Sequence, residues 1–435
     1  MISDKNSTIK QYNTMLDYSR RVFMITILCS GSRGDYQPYI ALAQELQKLG
    51  KTVQIVGGKS FEDFIKSYDI GFYPLSMDYL SADIDPKLLE EAQSSDNPLK
   101  MLLTFNKMKK YVIGLTSEMF YACKGSELII YHPGCAIGFF AGEKLGIPSV
   151  LAAPFPMHKT REVASLIAYG KTKMPKAMSY TLLQGMLWMA AKTGIVAFLK
   201  KEYGKLPKNF AIPYEQVDID HPAIVSCSNF VFERPKDWNQ HIHQLGYWFV
   251  EEKINYTPSK ELSDFLAKGE RPIYIGFGSA FIDKHKEDSI KIILEALKLS
   301  GKRGIISGMG DIKDLPDYCL AINNVPHSWL FEQVSLVCHH GGAGTTAAGF
   351  RAGIPSIIIP FSNDQFAWAH RAYDLGVGSK PIYRKQLSSN KLALAIDFAL
   401  SDEIIKNAKI LGKNIATENG ARDCAKIIFE NLQTH

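Results

Sequence analysis

The densest run of chemistry-bearing residues is Cys338-His339-His340-Gly341-Gly342-Ala343-Gly344-Thr345-Thr346-Ala347-Ala348-Gly349. Small residues at a strand-to-helix turn let a bulky anion approach the backbone. The N–H groups of Gly344, Thr345 and Thr346, backed by the helix dipole, can then hold a diphosphate. The hydroxyls of Thr345 and Thr346 add donors, and His340 adds a donor or a positive charge. No lysine follows the glycines, so the run is not a nucleotide-hydrolase P-loop, nor is it a G-x-G-x-x-G dinucleotide turn. Eighteen residues after Thr346, Asp364-Gln365 sets a carboxylate beside a carboxamide. That pair suits the vicinal hydroxyls of a sugar, although Asp364 is also an ordinary helix N-cap residue. Asp35, in Gly31-Ser32-Arg33-Gly34-Asp35, is by residue type an exposed turn carboxylate, a cap before Pro38, or a positioned base.

These residues need strands and helices to hold them. Val22 to Leu28 is a continuous apolar run, the pattern of a strand buried on both faces of a parallel sheet. A glycine turn follows, and Pro38 is expected to open an amphipathic helix that Gly50 closes. Thr52–Val56 is the next strand, completing a βαβ unit that recurs around residues 128–153 and again from Pro272 to Ile359. The expected architecture is α/β: two doubly wound units facing across a cleft, with ligands at the carboxyl ends of both sheets. The divisions read as a loose arm over 1–20, a first doubly wound unit over 21–246 and a linker over 247–262. A nucleotide-binding unit then spans 263–410, and a terminal helix over 411–435 packs back toward the first unit.

Composition excludes several classes. The chain has 435 residues, 46% apolar and 22% charged, which argues against disorder, collagen and coiled coil. A net charge of +6 is too weak to imply nucleic acid. Seven cysteines with no C-x-x-C pair argue for reduced thiols rather than disulfides or zinc, hence a cytoplasmic setting. Asp83-Ile-Asp85 and Asp218-Ile-Asp220 are chance pairs in a chain with 44 acids, and no metal is assigned.

With Val325–Phe331, the 339–349 run, Arg351–Pro355 and Pro360–Gln365 together, the chain resembles the donor half of the UDP-sugar-dependent glycosyltransferases of GT-B fold. Gly31–Pro38, Trp238–Phe249 and Pro272–Ser279 make it most similar to the sterol 3-beta-glucosyltransferases, with a weaker likeness over Pro154–Thr160. The resemblance implies inverting transfer of glucose from UDP-glucose to a sterol or similar apolar alcohol, with no cofactor beyond the donor substrate. It implies that Gly278, Ser279, His340, Gly342, Ala343, Gly344, Thr345 and Thr346 meet the donor phosphates, and that the Val325 backbone meets the uracil. Asp364 and Gln365 then read the sugar, and Asp35 acts as general base. Acceptor-side candidates are Phe140, Phe155, Met157 and His158. Phe140 stands where related enzymes carry His, and Gly308-Met309-Gly310-Asp311 departs from their G-W-G-G.

Residues 159–208 hold ten Lys/Arg against two acids and enclose the apolar window Met178–Leu199. Such a segment suits a surface resting on anionic lipid, or a solvated face over an acceptor pocket.

Overall fold

The computed structural model describes residues 24–76, 109–250, 256–277, 286–309, 312, 314–323, 325–361 and 364–433. Two parallel sheets organise the chain. The first has seven strands in the order β3-β2-β1-β4-β5-β6-β7. They are β1 Met24–Leu28, β2 Thr52–Gly58, β3 Gly71–Leu75, β4 Ser126–Tyr131, β5 Ser149–Ala153, β6 Ala223–Val225 and β7 Ile242–Gln244. The second has five in the order β10-β9-β8-β11-β12: β8 Ile273–Gly276, β9 Gly304–Ser307, β10 Cys319–Ile322, β11 Leu336–His339 and β12 Ser356–Ile358. In each sheet the order reverses beside the first strand of the unit, between β1 and β4 and between β8 and β11. That reversal opens the crevice where doubly wound sheets bind ligands.

Both faces of the first sheet are covered, and strand periodicity shows how. Along β4, Leu128 and Ile130 join the core on one side while Ile129 and Tyr131 join the core on the other. Burying each such side chain contributes roughly 1.5–3 kcal/mol.

Three local expectations differ from the fold. The helix predicted to open at Pro38 begins at Arg33, so Pro38 lies inside it. Ser32 and Asp35 cap the earlier start, and Pro38 falls in the second turn, where it lacks the N–H that would bond the Gly34 carbonyl. Residues 247–248, read as linker, belong to the first unit: Tyr247 and Trp248 are buried in its cores. The chain is already helical at Lys260–Ala267, where Leu262 and Phe265 pack under the second sheet.

The apolar window lies within one 28-residue helix, Lys176–Tyr203, long and apolar enough to cross a membrane yet partly buried. It packs on Lys109–Ala122, where Gly194 is required: a Cβ there would sit 2.3 Å from Thr116 Oγ1. The C-terminal stretch forms two helices. Asp402–Ile415 packs on Ala343–Ala352 of the second unit. Gly420–Gln433 crosses to the first unit and packs on Arg33–Lys48. There Cys424, Ala425 and Ile428 complete a core, and Trp248 Nε1 donates to Cys424 Sγ at 3.3 Å.

Candidate active site

Asp35 is half-exposed in the first turn of helix Arg33–Lys48, directly after β1. Its Oδ2 accepts from Ser32 N–H at 2.7 Å and from Ser32 Oγ at 2.9 Å. The carboxylate therefore both caps the helix and is fixed at the mouth of the sheet. Gly31, at φ +129°, passes so close that a Cβ would sit 2.3 Å from Asp35 Oδ2. His132, at the end of neighbouring β4, lies within the field of Asp35. Burial lowers its pKa, and the Asp35 charge acts in the opposite direction. Its Nδ1 accepts from Gly134 N–H at 3.0 Å, which leaves the neutral ring's proton on Nε2.

The second unit presents the turn between β11 and helix Ala343–Ala352. Gly341 has φ +93°, and a Cβ there would sit 2.7 Å from Ile358 Cγ2, so only glycine fits. At Gly342 a Cβ would meet His340 Nε2 at 2.7 Å, whereas at Gly344 it would meet nothing within 4 Å. Gly344 is the exposed centre of the turn. In an α-helix the first-turn N–H groups have no carbonyl to bond, and here those are of Ala343, Gly344 and Thr345. Thr346 departs from the expectation. It is buried, its N–H donates to the Gly342 carbonyl at 2.9 Å, and its hydroxyl donates to the same oxygen at 2.9 Å. One residue of helical phase turns it inward.

The paired histidines divide in the same way. His339 is fully buried, accepts Gly341 N–H on Nδ1 at 3.1 Å, and is held neutral by burial. His340 is half-buried beside the turn, where burial lowers its pKa. It therefore offers a neutral ring to the turn rather than a fixed positive charge. Val325 is partly buried against the core that holds Leu330, Phe331 and Val337, as is Ala348 of the turn's helix. Gly278 and Ser279 lie outside the described residues, as do Asp83, Asp85, Gly310 and Asp311.

Asp364 and Gln365 begin the next helix, Gln365–Asp374. Asp364 Oδ2 accepts from Trp368 Nε1 at 2.8 Å, and Gln365 Oε1 accepts from Phe361 N–H at 2.8 Å. Each polar end is thus fixed by its neighbours. Burial raises the Asp364 pKa; the Trp368 bond opposes that, the Asp35 charge adds to it, and Lys171 lowers it. Those influences bring Asp35 of the first unit and Lys171 of the same unit to the site formed by the second. Arg33 likewise bears on His327, whose pKa burial pulls to about 4. Helices Arg33–Lys48 and Ala343–Ala352 also touch, so Asp35 and the anion cradle share one cleft.

Candidate acceptor residues sit deeper. Phe140 is wholly buried, with ring centroids 5.2 Å from Phe139, 5.9 Å from Trp188 and 5.3 Å from Phe210. In this conformation it is core rather than contact surface. Met157 is also fully buried, and its carbonyl accepts from Gln184 Nε2 at 3.0 Å. Phe155 is half-buried against the same cluster. His158 stands edge-on to Trp238, and burial pulls its pKa to about 4. Its Nε2 has no hydrogen-bond partner among the described residues. Asp218 is a turn device: its Oδ1 accepts from the N–H groups of Asp220 and His221. No three His, Cys, Asp or Glu side chains cluster as metal ligands among the described residues.

Sequence reasoning missed the contacts of Lys171 with Phe366 and of Trp368 with Asp364. Lys171 meets Phe366 from 195 residues away, which no local pattern marks, whereas the Trp368–Asp364 bond spans one helical turn and was open to an i, i+4 reading.

Comparison with known proteins fits this geometry. The N-terminal domain of glycosyltransferase family 28 matches residues 25–164, and the C-terminal domain of the erythromycin biosynthesis protein CIII-like family matches 306–433. Two sterol 3-beta-glucosyltransferases of Arabidopsis thaliana, UGT80A2 and UGT80B1, are 32% and 31% identical over 94% and 98% of this chain. A sterol 3-beta-glucosyltransferase of Kluyveromyces lactis is 31% identical over 99%. The chain spans 65% and 71% of the two plant proteins and 36% of the yeast one. Among solved structures, the glycotransferase of kitacinnamycin superposes with TM-score 0.71 at 16% identity, covering 95% of this chain and all of that one. The calicheamicin glycosyltransferase CalG4 gives 0.68 at 16%, covering 95% and 99%. At those identities the structures speak to the fold, which is GT-B. With 31% identity running through 71% of UGT80B1, the chain belongs to the sterol 3-beta-glucosyltransferase family.

Proposed function

We propose that this chain is an inverting glucosyltransferase that moves glucose from UDP-glucose to the hydroxyl of a sterol or similar flat apolar alcohol, giving a beta-glucoside. The observation that carries the reading is the opposition of Asp35 and the Gly342–Thr345 turn across one cleft. An alcohol with a pKa far above 7 needs a positioned base as it attacks the anomeric carbon, and Asp35 is held at that mouth by Ser32. The leaving UDP needs its developing charge stabilised. The N–H groups of Ala343, Gly344 and Thr345, with the dipole of helix Ala343–Ala352, supply that without reorganisation. A single displacement inverts the centre, so an alpha-linked donor yields a beta-linked product. The relatives' names supply the support for glucose and for a sterol.

The same reading takes helix Lys176–Tyr203 as the face that meets an anionic membrane, where an apolar alcohol is dissolved. Met178, Leu182 and Met189 share one helical face and are 53%, 47% and 52% exposed. Lys173, Lys192, Lys200 and Lys201 are exposed around them. Lys159, by contrast, is paired with Glu215, and Lys176 donates to the Glu162 carbonyl at 2.7 Å.

Incubation with UDP-glucose and ergosterol or cholesterol, followed by mass analysis for a hexosylated sterol, tests the transferase reading. Absence of product with sterols but turnover on a polyketide or carotenoid alcohol would keep the donor chemistry and replace the acceptor. For the membrane face, flotation with phosphatidylserine-containing vesicles is expected, and Leu182→Gln with Met189→Gln abolishes it. Equal flotation of that variant contradicts the assignment.

A further inference from the structure

The loop Tyr169-Gly170-Lys171 of the first unit lies on helix Gln365–Asp374 of the second. The Tyr169 hydroxyl donates to Asp374 Oδ2 at 2.7 Å and accepts from Arg371 Nη1 at 3.3 Å. Arg371 Nε also donates to the Val231 carbonyl. Gly170 has φ +69°, and a Cβ there would fall 2.2 Å from His370 Cγ, so the docked loop admits only glycine. Lys171 Nζ then reaches 3.8 Å from the centroid of Phe366, the residue after Gln365. On the inner side, Phe232 packs against Trp368 with centroids 5.7 Å apart, and Trp368 is the partner of Asp364. Acceptor-side residues therefore hold the sugar-reading pair from two directions.

We infer that Lys171 is a positioning residue for the donor, a cation lent by the acceptor-side unit to Asp364–Gln365 when the two units dock through Tyr169 and Gly170. This rests on the proposed role of Asp364 in contacting the sugar. Burial favours the protonated acid at Asp364, and so does Asp35, which faces it from helix Arg33–Lys48. Lys171 from the loop and the Trp368 N–H from its own helix favour the carboxylate. A protonated carboxyl accepts fewer hydroxyls than a carboxylate. Docking brings Asp35 as well as Lys171, so the donor is read well only when the Tyr169–Lys171 loop is seated and its cation offsets the Asp35 charge.

The test compares Lys171→Met, Lys171→Arg and, as a control on an exposed lysine of the second unit, Lys391→Met. Donor KM, kcat, UDP affinity and the pH dependence of kcat/KM for UDP-glucose are measured on the full chain. Lys171→Met is expected to raise donor KM about tenfold, as loss of one charge-assisted arrangement does. UDP affinity stays within about twofold, and the acid limb of kcat/KM moves to higher pH. Lys171→Arg restores the profile, and Lys391→Met leaves it unchanged. A wild-type KM and acid limb in Lys171→Met overturns the inference. Calorimetry on Asp364→Asn separates the two ideas. If that variant still binds UDP-glucose and UDP as the wild type does, the sugar role of Asp364 falls. If it loses UDP-glucose affinity while Lys171→Met does not, only the role of Lys171 falls.

Discussion

Replacing Gly31 by alanine tests the placement of Asp35 without touching its chemistry. The added Cβ would lie 2.3 Å from Asp35 Oδ2 and 2.6 Å from Cγ, and the φ of +129° is one that alanine rarely adopts. Relief requires the carboxylate to swing away, surrendering the bonds from Ser32 N–H at 2.7 Å and Ser32 Oγ at 2.9 Å. Hydrogen bonds to a charged group contribute about 1.5–3 kcal/mol each, and the exposed setting places this pair at the low end. Backbone strain adds about 1–3 kcal/mol. The variant should therefore melt several degrees lower. A displacement of about 1 Å costs on the order of 10²-fold in rate, so kcat should fall by about that factor while UDP affinity holds within about twofold. Asp35→Asn makes the complementary change. It keeps an oxygen to accept from Ser32 and so lowers the melting temperature less than Gly31→Ala does, but it removes the base and lowers kcat by about 10²–10⁴. Steady-state UDP release with calorimetric UDP binding measures both. A Gly31→Ala enzyme at wild-type kcat, or an Asp35→Asn enzyme above a tenth of it, refutes the reasoning.

Three further outcomes are expected. His158 has a folded pKa of about 4 against an ordinary value near ~6.5, so only the unfolded chain takes up its proton between those values. Its contribution is complete above pH ~6.5 and is lost as pH falls toward about 4, by up to about 3 kcal/mol; His158→Gln should flatten melting temperature between pH 7 and 5. Phe140→His, which restores the residue related enzymes carry, puts a polar ring among Phe139, Trp188 and Phe210. It should cost about 2–4 kcal/mol in denaturant unfolding and bring no gain in kcat. Ile428→Asp places a charge where the C-terminal helix completes the first unit's core, and a loss of about 3 kcal/mol or more is expected by the same measurement.

Much of this was legible because it is local. The 339–349 turn reads from residue types: Gly341 must supply φ +93°, and the helix that follows must leave its first N–H groups unbonded. The parallel sheets read from continuous apolar runs. Phase and distance are what escaped. Thr346 and Thr345 look alike in the sequence, yet one 100° step around the helix buries Thr346 against Gly342. Pro38 marked a helix start by its usual preference, whereas the Ser32–Asp35 cap set the start five residues earlier. Lys171 meets Phe366 across 195 residues of chain, and no spacing in the sequence encodes that meeting.

The central claim is that Asp35 and the Gly342–Thr345 turn act together on a donor sugar and an apolar alcohol. Its most direct test is the anomeric proton of the product formed from UDP-glucose and ergosterol, read by NMR for the wild type and for Asp35→Asn. The account predicts a beta-linked glucoside whose yield falls at least a hundredfold in the variant. An alpha-linked product, or equal yields from both proteins, contradicts it.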